Sequence, residues 1–504
     1  MPALPTPKPA AIAALAACAL LAACTTVSPS KHEMTTRTAK SIPIQDNVDT
    51  RLGTLKFYDG VPTKATAQKV YDQLDFSRGI EAFLNGIPGA SLVAMRRGLR
   101  EVGAVDGTIG IWDELLDGRS VVLTGSTDSV YATTWIDLSK GPVVIESPPG
   151  VGGQLSDFWF RPVADLGGTG PAKGQGGRFL VLPPGYQGEV PQGYFAARSP
   201  TFNNWLVWRA PAVGGDPKPA AEALRRAARV YPLPEAAQAH PPRFVGLSGR
   251  DFNTVHANDA SFYAELNQII QEEPEDAFGA DMMGLFNAIG LVKGKPFEPD
   301  GRMERILADS AAVGSALARS FDFRNRSDDA RLYPDRRWTS PFAGADAQWL
   351  SKGGARQLDA RSMLFYAATV NMPAVAAAPP GAGTQYALAA LDASGNAFNG
   401  NKTYRLRLPA RVPASGGWSV SLYDTQTRSL LQTDQRFPSL SSTANPHANA
   451  DGTVDLYFSA RRPGNVQNWV QTVPGKSWFI IFRLDGPQQP WLDKSWQLPD
   501  VEDI

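Results

Sequence analysis

The hydrophobic period of the chain changes twice along its length. Between residues 62 and 99 apolar side chains recur at helical spacing, with Val70, Tyr71 and Leu74 followed by Ile80, Phe83 and Leu84. That spacing turns one helix face toward a core. Gly86 interrupts the stretch, so the pattern predicts two short helices with a break there and a further helix through Met95 and Leu99. From about Gly107 the period becomes two. The runs "SVVLTG", "SVYATTWIDLS", "PVVIES", "QLSDFWFRPV", "GRFLVLPPGY" and "GYFAARSPTFNNWLVWRA" are separated by glycine and proline, the signature of an antiparallel sandwich or barrel. Helical spacing returns at "PKPAAEALRRAARVYPL". It continues where Phe262, Leu266, Ile269 and Ile270 form one stripe, with Asp259 at the N-cap position and Pro274 as the stop. Two more helices are expected in "DGRMERILADSAAVGSALARSFDF" and "ADAQWLSKGGARQLDARSMLFYAATVNMPA". After "AAAPPGAGTQ" the alternation resumes in "TYRLRLPA", "WSVSLYDT", "TVDLYFSA" and "KSWFIIFRL". The order is β-rich, helical, then β-rich.

The first fifty residues carry an address instead of a fold. Lys8 precedes the apolar run "AAIAALAACALLAAC", which is too short for a mature membrane span and has the form of a signal-peptide core. Its end, "LLAAC" from Leu20 to Cys24, resembles the lipobox of bacterial lipoproteins, in which the cysteine thiol takes a diacylglycerol. Cleavage before Cys24 leaves 504 − 23 = 481 residues. Thr25 follows instead of aspartate, and by that resemblance the destination is the outer membrane, facing the periplasm or the cell surface. The expected partner is therefore the membrane, reached through the lipid anchor on Cys24. Residues 24–50 are polar and aperiodic and read as a tether.

Composition narrows the functional classes. Lys and Arg together number 49, as do Asp and Glu, so no global charge recruits nucleic acid. The only other cysteine, Cys18, lies in the segment expected to be removed, so the mature chain has no thiol for a disulfide, a nucleophile or a metal. The histidines, His32, His240, His256 and His447, stand in no metal-ligand spacing, and no G-x-S-x-G elbow, P-loop or Rossmann fingerprint is present. No cofactor and no metal are evident, and the oligomeric state is not legible.

"LTGSTDSVYATTWIDLSKGPVVIESPP", followed by "GGRFLVLPPGYQGEVPQGYFAARSPTFNNWLVWRA", resembles domain of unknown function 1254. "NGNKTYRLRLPARVPASGGWSVSLYDTQTRSLLQ", "DGTVDLYFSARRPGNVQNWV" and "GKSWFIIFRLDGPQQPWLDKSWQLPDV" resemble its usual tandem partner, domain of unknown function 1214. The resemblance implies a β-rich α+β fold with two antiparallel jelly-roll-like sandwich modules joined by a helical region, and it implies no reaction. The divisions expected are a signal peptide at 1–23, a tether at 24–50, a first module with N-terminal helices at 51–245, a helical region at 246–380 and a second module at 381–504. Two departures from the second pattern stand out. Asn468-Trp469 is followed by "VQTVPGK" instead of Leu-Pro and a small residue, and Arg483-Leu484-Asp485 stands where members often read Arg-Leu-Tyr.

The candidate chemistry centres on the run through Thr124–Gly150. Val130, Ala132, Thr134, Ile136 and Leu138 alternate with Tyr131, Thr133, Trp135 and Asp137, so two aromatics and a carboxylate share one strand face. That face is expected to wall a cleft, completed by Arg161 from "LSDFWFRPVAD", where Asp157, Trp159 and Arg161 are read on one face, with Asp128 at the rim. In the second module Trp418, Tyr423, Asp424, Asn468 and Trp469 are the corresponding candidates. The competing reading has helices covering the aromatic face and Asp137 capping the "LSKGP" turn. His256 is a candidate base, and Glu272–Asp276 a solvated carboxylate cluster. These residues suit an envelope protein binding a carbohydrate or another hydroxylated or aromatic small ligand. The alternatives are a hydrolase with an Asp/Glu or Asp/His-metal site, and a structural envelope protein.

Overall fold

The computed structural model describes Thr36 and residues 38–504, apart from Asp106, Ala239 and Ala378. The signal segment, Cys24 and about half of the tether lie outside these residues. The chain divides after Val70 into two compact units. In the first, strand Asn47–Thr50 lies inside the segment read as tether and pairs antiparallel with Gly53–Tyr58. Gly53 takes a φ of 86° at the turn, a conformation that suits a residue without Cβ.

The predicted break at Gly86 does not occur. Lys64–Glu101 is a single helix of 38 residues that runs through Gly86 and Pro88. Pro88 has no N–H to give the carbonyl of Leu84, and the Ser362 hydroxyl donates to that carbonyl instead, at 3.2 Å. The glycines are points of close approach. A Cβ on Gly86 would stand 2.9 Å from Leu266 Cδ2, and one on Gly89 would stand 2.5 Å from Ile269 Cδ1 and 2.6 Å from the Trp159 ring. Those contacts seat helix Phe262–Glu272. Its cap differs in detail from the expectation: Ser261 is the N-cap, and Asp259, two residues earlier, accepts from the Ser261 N–H.

The β-rich stretch from Thr108 builds two facing sheets. One has the order Arg243–Gly246, Thr108–Trp112, Ser129–Asp137, Asn203–Pro211, Gly152–Asp157, Pro162–Asp165. The other has Phe195–Arg198, Gly177–Leu182, Val143–Ser147, Arg229–Pro232. Pairing is antiparallel except at the Arg243–Gly246 and Phe195–Arg198 edges. Val130, Ala132 and Ile136 pack between these sheets with Ile145, Val181 and Leu206, as the alternation predicts. The C-terminal stretch repeats the plan. Thr384–Ala389, Trp478–Pro487, Ala414–Asp424 and Ser439–Ser441 face Trp469–Gln471, Val454–Ser459, Tyr404–Leu408 and Glu502–Asp503. Leu406, Val420, Phe458, Ile480 and Phe482 fill the space between.

A third core lies on the other face of each inner sheet. There the helices Lys64–Glu101, Phe262–Glu272, Gly301–Phe323 and Leu358–Ala367 meet Trp135, Trp205 and Val207 of one sheet and Tyr423, Phe479 and Ile481 of the other. Strands packed on both faces need apolar side chains on both, which explains the near-continuous runs "NWLVW" and "WFIIF". The result is a β-rich α+β fold. Among the described residues no helix is long and apolar enough to cross a membrane.

Candidate functional site

A cavity of about 450 Å³ opens where the helical core separates the two inner sheets. Its walls are largely apolar: Met95 and Leu99 from the long helix, Trp205 and Val207 from one sheet, Leu364 from helix Leu358–Ala367 and Ile481 from the other sheet. One end is polar, and its residues come from neighbouring strands in register. Arg209 stands directly across from Tyr131 in the first sheet, and Arg483 directly across from Tyr386 in the second. All four line the cavity.

The two guanidinium groups are held differently. Arg209 donates from Nε to Ser129 Oγ at 3.0 Å and from Nη1 to Thr384 Oγ1 at 3.1 Å. Its Nη2 lies 3.3 Å from Asp128 Oδ1 and 3.6 Å from Asp485 Oδ1. Asp128 also accepts from the hydroxyls of Ser126, Ser129 and Ser419. Burial pushes its carboxyl up, but the Arg209 and Arg483 charges and the serine hydroxyls outweigh that and bring it down to about 2. Arg483 is 3% exposed. It donates to Thr124 O at 2.8 Å and to Ser421 Oγ at 3.5 Å, lies 5.8 Å from the Tyr386 ring and 5.6 Å from that of Tyr423, and has no ion pair among the described residues.

The Tyr131 and Tyr386 hydroxyls make no hydrogen bond among the described residues. Burial raises both phenols, Tyr386 to about 12, against the lowering pull of the arginines. Both are therefore neutral donors near pH 7. Thr124, on the cavity wall, is a β-branched residue at a φ of 38°. Three bonds hold it there: its N–H to Arg428 O at 2.8 Å, its hydroxyl to Ala367 O at 2.9 Å, and its carbonyl to Arg483. Strain of this kind persists where surrounding structure over-determines it.

The sequence candidates fall in several places. Tyr131 and Thr133 face the cavity, and Asp128 lies behind it on Arg209. Trp135 packs in the helical core, edge-on to Phe158, beneath Arg96. Asp137 is exposed and caps the following turn by accepting from Ser139 N at 2.8 Å. Arg161 lies away from the cavity lining. The run "LSDFWFRPVAD" is not one strand face but the ends of two paired strands joined by a tight turn at residues 158–161: Asp157 accepts from the N–H groups of Trp159 and Arg161, and from Arg161 Nε at 2.5 Å.

In the second region the five candidates are separate from the cavity lining, and Tyr423 stacks on Phe479 in the helical core. Trp418 is core, stacked on Phe482. Asp424 pairs with Lys476 and accepts from Gln426 N. Asn468 ties His447 to Asp455, and Trp469 donates to Ser459 O. His256 is buried with Nδ1 on Ala257 O, and burial brings its pKa down to about 3. The cluster Glu272–Asp276 is not simply solvated. Glu272 pairs with Arg96, and the buried Glu273 accepts from the N–H groups of Phe202 and Asn203.

Residues 107–232 match the family described as "Protein of unknown function (DUF1254)", and residues 383–489 match "Protein of unknown function (DUF1214)". The two regions therefore stand in tandem, as the motifs imply. Tyr131 and Arg209 belong to the first region, and Tyr386 and Arg483 to the second. No curated protein matches the chain. Among solved structures, the VPA0106 protein from Vibrio parahaemolyticus is similar with a TM-score of 0.53 at 18% identity, over 85% of this chain and 100% of that one. That likeness concerns the fold. An uncharacterised protein from Burkholderia cenocepacia aligns over 87% of this chain and 97% of its own, with a TM-score of 0.37 at 11% identity.

Proposed function

We propose that the chain is a lipid-anchored envelope protein whose cavity binds a small molecule with an apolar or aromatic body and a polar head. The observation that carries this reading is the 450 Å³ cavity, apolar along its walls and polar at one end through Tyr131, Arg209, Tyr386 and Arg483. Sites for small ligands have this form: concave, mostly apolar, with a few convergent polar groups. Of the ligand classes read from the sequence, the lining favours a hydroxylated or aromatic molecule over a saccharide. A sugar would leave hydroxyls against Met95, Leu99 and Leu364 without partners.

Binding is favoured over hydrolysis because the nearby carboxylates are engaged. Asp128 is held by Arg209 and three hydroxyls, and Asp165 accepts from Gly167 N and the Thr169 hydroxyl. Asp128, held well below the usual carboxylate range, is not a base poised near neutral pH. The two pairs of facing sheets are read as jelly-roll-like sandwiches. The address is read from "LLAAC", with the anchor on Cys24 and the protein in the outer membrane. Cys24→Ser is expected to release the protein from the membrane fraction or leave it unprocessed, as fractionation and mass spectrometry report.

The cavity itself is tested with N-phenyl-1-naphthylamine, a neutral dye whose emission rises in apolar surroundings. Saturable binding by the full chain, lost in the cavity-filling variant Val207→Trp, supports the reading. Absence of saturable binding, or binding indifferent to that variant, overturns it.

A further inference from the structure

We infer that the occupant of this cavity is a monocarboxylate, with its head between Arg483 and the two phenols and its apolar body along the helix-lined wall. The inference rests on the binding reading above and specifies the head group. It begins from charge. Both carboxylates at the polar end, Asp128 and Asp485, lie on Arg209. Arg483 is as deeply placed, yet its direct partners are only a carbonyl and a hydroxyl. Asp128 reaches this guanidinium only through space, so an acceptor brought into direct contact with Arg483 gains a charge-assisted hydrogen bond that no carboxylate of the protein takes.

Donor inventory points the same way. The hydroxyls of Tyr131 and Tyr386 are unengaged, and both face the cavity. A carboxylate is acceptor-only and takes several donors at once, whereas an alcohol or amide brings donors of its own that need acceptors. Gln154 adds to the set. Its side-chain oxygen is buried without a partner while its nitrogen lies 2.5 Å from Ser156 Oγ. With the amide turned over, Ser156 donates to the oxygen and the NH2 group faces the cavity. Asp128 and Asp485 already balance the two guanidinium groups, so each charge on the head is an added charge in an apolar enclosure, and a monoanion is held there at far lower cost than a dianion.

Size sets the body. A cavity of roughly 150 Å³ accommodates benzene, so three times that volume holds on the order of 18 non-hydrogen atoms. The ligand class is thus a fatty or arylalkanoic acid of about ten to fifteen carbons.

The test compares isosteric acid and amide pairs on two bodies: dodecanoate with dodecanamide, and 1-naphthaleneacetate with 1-naphthaleneacetamide. Affinities for the full chain are measured by calorimetry near pH 7. On at least one body the acid is expected to bind roughly 10- to 150-fold more tightly than its amide, the range for a hydrogen bond to a charged group. Arg483→Gln should erase that preference while leaving the amide's affinity in place. If that variant fails to fold, Tyr386→Phe and Tyr131→Phe, which remove one hydroxyl each, should weaken acid binding several-fold and spare the amide. Equal affinity of acid and amide overturns the carboxylate inference and leaves the binding reading standing. No binding by either acid also overturns it, and the neutral-dye experiment then decides separately whether the cavity binds at all.

Discussion

Thr124 shows how single residues are committed at the cavity wall. At a φ of 38° a β-branched side chain is strained, and glycine would be at ease there. Yet the threonine hydroxyl donates to Ala367 O, a bond worth about 1 kcal/mol. Thr124→Ala keeps the strain and loses the bond, whereas Thr124→Gly loses the bond and relieves the strain. The expected order in denaturant melts is wild type most stable, then Thr124→Gly, then Thr124→Ala, and the reverse order of the two variants would remove the strain argument. Asp128 gives a second residue-scale outcome. Its folded pKa is about 2, below the ordinary 3.8, so its contribution is present above pH 4 and is lost as pH falls toward 2. Linkage puts it on the order of 2 kcal/mol. The stability gap between wild type and Asp128→Asn should therefore be largest near neutral pH and shrink in acid; a gap constant with pH would count against the pairing. Arg209 and Arg483 were legible in principle. Each ends the same five-residue pattern, Trp205-Leu-Val-Trp-Arg and Phe479-Ile-Ile-Phe-Arg, in which a charge stands at a position the buried run would otherwise fill with an apolar side chain. Their meeting with Tyr131 and Tyr386 depends on strand register, which alternation alone does not supply.

At the scale of elements, periodicity located the strands and most of the helices, and it failed where a local rule met a tertiary contact. Gly86 and Pro88 are helix breakers by propensity. In the fold Gly86 and Gly89 admit Leu266, Ile269 and Trp159, and Ser362 supplies the hydrogen bond that Pro88 lacks. Breaker and contact point look alike until the partner helix is known. Gly89→Val is expected to cost about 1–3 kcal/mol through overpacking against Ile269 and Trp159, and Ser362→Ala about 1 kcal/mol through the orphaned carbonyl of Leu84, both read from thermal or denaturant melts. The segment Leu155–Asp165 failed differently. Asp157 gathers two backbone N–H groups and the Arg161 side chain, and so turns the chain where alternation suggested it ran straight. The aromatic face of Ser129–Asp137 is likewise divided: Tyr131 meets the cavity, Trp135 meets helices and Asp137 meets solvent. A helix-covered sheet with one gap produces all three from a single alternating face.

For the molecule, the cavity's polar end is also where the DUF1254-matching and DUF1214-matching regions are joined. Arg209 of the first donates to Thr384 of the second, and Ser419 of the second donates to Asp128 of the first. Tyr423 donates to Gly125 O at 2.7 Å, Arg483 donates to Thr124 O, and the hydroxyls of Thr127 and Ser439 lie 2.7 Å apart. Apolar packing adds to this, because Tyr423, Phe479 and Ile481 share one core with Trp135, Trp205 and the helices. Severing the two regions would expose that apolar face to water and break the bonds from Ser419 to Asp128 and from Arg483 to Thr124, each hydrogen bond to a charged group contributing about 1.5–3 kcal/mol in addition to the lost burial. A domain of ordinary stability, on the order of 5–15 kcal/mol, does not absorb such a loss easily. Residues 71–504 should therefore unfold in one cooperative transition, with calorimetric and van't Hoff enthalpies in agreement. A fragment of residues 381–504 expressed alone should be insoluble or should bind hydrophobic dyes strongly. A bound carboxylate that touches Arg483 and Tyr131 together would contact both regions, so saturating ligand should raise the melting temperature of the whole transition without splitting it. Two separated transitions in the intact chain, or a soluble and cooperatively melting C-terminal fragment, would show that the regions fold independently and that the cavity between them is a contact surface instead of a shared core.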